Sequence, residues 1–188
     1  MQQAIVDALI SAAHGAMDHA VEHLSNELVK VRTGKASPAM LGGLMVSYYG
    51  TPTPLSQVAN VSASDARTLT IQPWEKSMLA HIEKAIFEAN LGVTPNNDGE
   101  VVRISIPPLT EERRKEMVKK AKSLGEEAKI SARNARHKAL DGLKKAVKDG
   151  YPEDLGKKVE HDIQEMLNQF SKKIDHLLEV KEKDIMTV

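Results

Sequence analysis

From Thr110 to Lys148 the sequence holds nothing that stops a helix. Pro107 and Pro108 bar helical backbone just ahead of it, and KDGYP (Lys148 to Pro152) ends it. Thr110 is an N-cap residue, Arg113 stands where a capping box carries Glu, and Glu111 and Glu112 suit the positive end of the helix dipole. At about 1.5 Å per residue this helix is roughly 58 Å long. Its apolar seam is Val118, Ala121, Gly125, Ala128, Ala132, Ala135, Ala139, Gly142 and Ala146, spaced alternately by three and four residues in a heptad rhythm. Nearly every member is small, although an interior glycine costs a helix about 1 kcal/mol against alanine. Small residues admit close neighbours, so the seam is read as the central contact of a helical bundle.

The rest of the chain supplies those neighbours. Residues 4–31 carry a helical stripe of Val6, Leu9, Ala13, Met17, Ala20, Leu24, Leu28 and Val31, stopped by Gly34 and Pro38. After the KDGYP turn, Leu155, Val159, Ile163, Met166, Phe170, Ile174 and Leu177 form a third stripe, and so short a turn makes the last two helices antiparallel. The segment 32–108 differs. MVSYYG (45–50), ANVS (59–62), TLTIQ (68–72) and VVRISI (101–106) read as strands. TPTP (51–54) and TPNNDG (94–99) read as turns or loops. One helix from about Trp74 to Asn90 presents Met78, Ile82, Ala85, Ile86 and Ala89, with Gly92 near its C-cap. The expected fold class is α+β: a long three-helix bundle of residues 1–31 and 109–188, interrupted by a small α+β domain of residues 32–108. The chain crosses between them near 32–34 and 106–108, which makes Thr33, Gly34, Pro107 and Pro108 hinge residues and relative motion the expectation.

The formal net charge is zero, but by segment it is −3 for residues 1–31, 0 for 32–108, +6 for 109–150 and −3 for 151–188. Along the long helix Lys115, Lys119, Lys122, Glu126, Lys129, Arg133 and Arg136 recur at four-three spacing, about 100° around from the seam. Neither Arg133 nor Arg136 has an acid three or four residues away, and like charges at those spacings disfavour a helix. Two readings remain open. The flanking acidic helices lend their carboxylates across the bundle, or the row binds phosphate, for which the arginine fork is suited. The helix carries no interleaved aromatics, which favours backbone and shape recognition of folded RNA over base stacking.

Other chemistry finds little support. The chain has no cysteine, which excludes disulfides and thiolate sites and suits a reducing cytoplasm. HAVEH (His19 to His23) matches an H-x-x-E-H zinc-peptidase pattern, but no downstream ligand motif accompanies it. GKAS (34–37) lacks the P-loop's upstream glycine, since Val29 stands there. No nucleophile–base constellation is present, and neither a metal nor another cofactor is expected. No apolar run approaches a membrane span. The stretch MQQAIVDALISAAHGAM has no basic n-region, and Asp7 interrupts it, so it is not read as a signal peptide.

Several stretches resemble the ribosome recycling factor family: VRTGKASPAML (31–41), YYGTPTPLSQVA (48–59), DARTLTIQPWEKSM (65–78), IEKAI (82–86), PPLTEERRKEMVK (107–119) and ISARNAR (130–136). The likeness is specific in the insert and the long helix and weak in the other two helices. Lys35 stands where the family commonly has arginine, and His137 and Lys138 where a second arginine and an acid are common. The resemblance implies a near L-shaped molecule, similar in outline to tRNA, with a β/α/β domain hinged to the bundle. It implies binding to the post-termination ribosome through large-subunit rRNA, and subunit separation driven by elongation factor G with GTP. The protein itself is then no enzyme, and is expected to be a cytoplasmic monomer without a cofactor. Arg133 and Arg136 match the family's RNA-contacting arginine region and Arg32 its hinge-proximal arginine; Lys119, Lys122 and Lys129 extend the row. On this reading those cations are unpaired within the helix because their partners are phosphates of another molecule. The alternative is a self-associating helical scaffold with no RNA partner.

Overall fold

The computed structural model describes residues 1–187. By their contacts these divide into two units, Met1–Val31 with Lys115–Thr187, and Arg32–Arg114.

The first unit is built from α1 (Gln2–Val29), most of α4 (Glu111–Lys148) and α5 (Glu153–Met186). Gln2 Nε2 donates to the Asp149 carbonyl at 2.6 Å, and the Tyr151 hydroxyl donates to Gln3 Oε1 at 3.2 Å. The start of α1 therefore lies at the α4–α5 turn, and α1 runs parallel to α5 and antiparallel to α4. From α4 the buried residues are Ala121, Gly125, Ala128, Ala132, Ala139, Leu143 and Ala146. A Cβ on Gly125 would lie 2.3 Å from Leu178 Cδ1, and one on Gly142 would lie 2.6 Å from Leu9 Cδ2. Each glycine is thus a notch filled by a leucine, one from α5 and one from α1. Val118, Ala135 and Gly142 are half-buried, and Leu143 joins the core in addition to the small residues.

The third helix departs from its expected stripe at two places. Leu155 is exposed and Gly156 is buried instead, because a Cβ at 156 would come within 2.8 Å of Val147 Cγ2. Next, Leu167 is buried where Met166 was expected, and Met166 is half-buried.

The second unit holds two sheets. β1 (Met45–Tyr48) and β2 (Thr51–Pro54) form an antiparallel ribbon. β3 (Ala59–Asp65), β4 (Thr68–Pro73), β5 (Pro95–Asn97) and β6 (Val102–Ser105) form an antiparallel sheet in the order β3-β4-β6-β5. A single helical turn, α2 (Leu55–Val58), joins the ribbon to the sheet. The pairs Leu69–Ile104 and Ile71–Val102 stand opposite each other across β4 and β6, all four buried, and they share one core with Ile82 and Ile86 of α3 (Leu79–Glu88). That helix is shorter than expected, with a 3-10 turn at Lys76–Met78 ahead of it. Ala89 is exposed past its end, where Asn90 (φ 49°) and Gly92 (φ 73°) turn the chain away.

TPTP and part of TPNNDG, expected as turn or loop, are strands β2 and β5. Proline tolerates such places because each strand is an edge: β2 pairs only with β1, and β5 only with β6.

The two segments that enter and leave this unit are held by one hairpin turn. The Ala66 carbonyl accepts from the Ala36 amide, and the Arg67 carbonyl accepts from the Ile106 amide, both at 2.7 Å. Asp65 Oδ1 braces that turn by accepting from the Arg67 amide at 2.8 Å. Gly34 has a φ of +78°, which glycine adopts without strain, and Leu109 packs over it, 3.5 Å from where a Cβ would stand. Thr110 caps α4, its Oγ1 accepting from the Arg113 amide at 3.2 Å. The contact boundary falls after Arg114, one turn into α4.

Candidate nucleic-acid interface

The basic row lies on α4 beside the buried seam. Lys119, Lys122 and Arg133 are exposed; Lys129 and Arg136 are half-buried. Arg32 belongs to the other unit, where its Nη2 donates to the Leu91 carbonyl and its guanidinium lies against Gly92. The turn after α3 therefore holds Arg32.

The structure corrects the expectation that these cations are unpaired within the helix, in the case of Arg133. Arg133 Nη2 stands 2.9 Å from Glu126 Oε1, and its Nε donates to the Lys129 carbonyl at 3.4 Å. Positions seven apart are two turns, about 10.5 Å, along one helix face, a span that long side chains close although it lies beyond the usual three- and four-residue pairings. Lys129 Nζ stands 2.7 Å from Asp175 Oδ1 of α5, so the acidic third helix does lend a carboxylate across the bundle.

Arg136 has a different partner. Its Nη1 donates to Gln164 Oε1 at 2.6 Å, and Gln164 Nε2 in turn donates to Asn168 Oδ1 at 3.0 Å. Arg136 Nε is buried without an acceptor, the one buried side-chain polar atom in that condition among the described residues. Gln164 and Asn168 were not legible as partners, because the link to Arg136 spans 28 residues and two helices.

The Arg133–Glu126 pair is open to solvent on both sides, with side-chain exposures of 54% and 60%. Such pairs contribute about 0–1 kcal/mol, so a phosphate can displace Glu126 at little cost. Lys129 is more enclosed at 31%, whereas its partner Asp175 is 59% exposed. Elsewhere on the bundle, the hydrogen bond from Lys30 holds the Glu27 carboxyl below its usual range, and partial burial pushes the Lys181 ammonium down.

His19, Glu22 and His23 are exposed on α1. No group of three or more His, Asp or Glu among the described residues is placed to hold a metal ion. No helix among the described residues is long and apolar enough to cross a membrane. The insert carries one feature the sequence did not announce. The Tyr48 and Tyr49 hydroxyls donate to the two oxygens of Glu75, at 3.1 and 2.9 Å. Those bonds to a carboxylate raise both phenols above their ordinary range.

A three-helix bundle and a small antiparallel sheet domain in one chain define a structural class with solved members. A solution structure of the ribosome recycling factor matches with a TM-score of 0.82 at 35% identity, covering 97% of this chain and 98% of that one. A second match, at TM-score 0.68 and 43% identity over 97% of this chain and 99% of that one, comes from models of the T. thermophilus ribosome recycling factor and the E. coli elongation factor G bound to the E. coli post-termination complex. The ribosome-recycling factor of Porphyromonas gingivalis is 51% identical over 97% of this chain and 99% of its own length. That of Flavobacterium johnsoniae is also 51% identical, over 97% and 98%. The family model for ribosome recycling factor matches residues 24–186. The chain belongs to the ribosome recycling factor family.

Proposed function

We propose that this chain recycles ribosomes after termination: it binds the post-termination ribosome through rRNA of the large subunit and, with elongation factor G and GTP, promotes separation of the subunits. The observation that carries this reading is a family match that runs through both units, from residue 24 to residue 186. The link to elongation factor G is supported by the related factor in the post-termination complex. The protein is not itself an enzyme on this reading, since the partner consumes the nucleotide. It acts as a cytoplasmic monomer.

The α4 row supplies the RNA contacts: Arg133 and Arg136 first, with Lys129, Lys122 and Lys119 extending the track along phosphates. Arg32 contributes from the other unit. Exposed ion pairs such as Arg133–Glu126 hold the cations ready in the free protein and exchange their carboxylates for phosphate oxygens on binding, where charge-assisted arginine bonds are strong. The bundle of residues 1–31 and 109–188 and the insert of 32–108 then move as two bodies about Thr33, Gly34, Pro107 and Pro108. Prolines fix φ near −65°, whereas glycine absorbs a change of either sign. Motion imposed by elongation factor G is delivered through these crossings to the RNA contacts.

Two measurements test the proposal. Co-sedimentation with ribosomes over a salt series should show affinity falling linearly on a log–log plot. Light scattering of ribosomes with this protein, elongation factor G and GTP should show subunit dissociation that needs all three. Salt-independent pelleting excludes the phosphate contacts. Absence of dissociation with active elongation factor G excludes the recycling function, and self-association without ribosome binding points to the scaffold alternative.

A further inference from the structure

On α4, Lys129 closes on Asp175 and Arg133 on Glu126, both carboxylates. Arg136 closes on an amide. Its guanidinium can only donate, so Gln164 must present its oxygen. That leaves the Gln164 amino group to find an acceptor, and Asn168 Oδ1 is that acceptor, one turn further along α5. The relay from Arg136 through Gln164 to Asn168 therefore has one chemically allowed direction, and the guanidinium is turned in one sense.

A glutamate in place of Gln164 would satisfy Arg136 better. It could replace the neutral acceptor at Nη1 with a charged one and so make a charge-assisted bond. It would also cancel the charge. The amide supplies orientation without neutralisation.

We propose that Gln164 is a positioning residue for phosphate binding by Arg136: its neutral oxygen orients the guanidinium toward an RNA phosphate and preserves the positive charge, with Asn168 fixing the amide. This rests on the reading of α4 as the RNA-contacting row, and it adds a residue of α5 to a site expected to consist of that row and Arg32.

The test uses the full chain, washed ribosomes and a salt series, with Gln164→Glu, Gln164→Met, Arg136→Ala and the double variant Arg136→Ala/Gln164→Glu. Gln164→Glu should fold with an unchanged or higher Tm. It should bind ribosomes roughly three- to tenfold more weakly, with a log–log salt slope shallower by about one. Gln164→Met, which keeps the charge and loses the acceptor, should weaken binding with the slope retained. The double variant should bind no more weakly than Arg136→Ala. If Gln164→Glu weakens the Arg136→Ala background as much as it weakens the wild type, position 164 repels RNA by its own charge and the positioning role is overturned. Wild-type affinity in both Gln164→Glu and Gln164→Met, beside a weakened Arg136→Ala, overturns it while leaving the α4 row intact. If Arg133→Ala and Arg136→Ala both bind as wild type, the row itself is excluded and this role with it.

Discussion

In the insert, Leu69, Ile71, Val102 and Ile104 bring branched side chains from paired strands onto Ile82 and Ile86 of α3, and the buried aliphatic side chains join one cluster. In the bundle, α4 contributes mainly alanine and glycine, and the buried residues fall into three clusters along its length. One cluster gathers Val6, Ala139 and Ile163, another Met17, Ala132 and Phe170, and the last Leu28, Ala128 and Ile174. The difference separates two ways of being stable. The insert depends on volume held at one point, so a deletion there reaches every strand. The bundle depends on distance held along a line, so an addition on α4 pushes the helices apart locally.

The largest expected effect breaks the insert at its centre. Ile71 is fully buried, and Ile71→Ala should destabilise that unit by about 2–5 kcal/mol. Hydrogen exchange should show β4 and β6 losing protection together while α4 and α5 keep theirs; equal loss in α4 and α5 would erase the distinction. Next comes the opposite operation on the bundle. Ala132 is fully buried between Met17, Leu167 and Phe170. Ala132→Leu should cost about 1–3 kcal/mol by overpacking, in spite of leucine's good helix propensity. Thermal melting at the wild-type midpoint would show that the seam is not under close contact.

A smaller effect separates the units by acid. Amide bonds from Val101 and Glu100, with Arg103 at 2.6 Å, hold the Asp98 carboxyl below its ordinary range, and the Arg67 amide does the same for Asp65. A carboxylate whose folded pKa lies below its unfolded value adds stability at pH above the unfolded value, about 3.9, and loses it as pH falls through the folded one. Asp98→Asn keeps an acceptor for the amides and removes the titration. Denaturation midpoints of the insert should then depend less on pH below about 4. An undiminished dependence would mean that Asp98 does not carry it. Smallest of all is Arg133→Ala. Its exposed pair with Glu126 is worth about 0–1 kcal/mol, and alanine's better helix propensity offsets the loss, so the Tm should barely move. Ribosome binding should weaken, with a salt slope shallower by about one; unchanged binding and slope would remove Arg133 from the contacts.

The legible parts of this fold are those that one strong local signal governs. The course of α4 could be read because Pro108 and Gly150 bracket a run with no strong breaker, and its seam because the three-four spacing of small residues repeats many times. The strands β2 and β5 could not be read, because Pro and Asn carry the same turn signal at a sheet edge as in a loop. The burial of Gly156 in place of Leu155 could not be read, because hydrophobicity alone does not report that Val147 leaves no room for a side chain. At the candidate site, the row of cations followed from charge and periodicity within one helix. Their partners did not: Asp175 and Gln164 lie on α5, and Glu126 lies two turns from Arg133.

Each cluster of the bundle joins side chains of α1 to side chains of α5: Val6 with Ile163, Met17 with Phe170, Leu28 with Ile174. A polypeptide emerges from its N-terminus, so α1 comes out long before the helices that cover it. At roughly 5–20 residues per second, the wait from Leu28 to Ile174 is about seven to thirty seconds. The insert's core, by contrast, lies wholly between Leu41 and Ile106, and its sheet can close while α5 is still unmade. During biosynthesis the apolar stripe of Val6, Ala13, Met17, Leu24 and Leu28 is thus the surface open to chaperones, and the strands between it and its partners finish folding first.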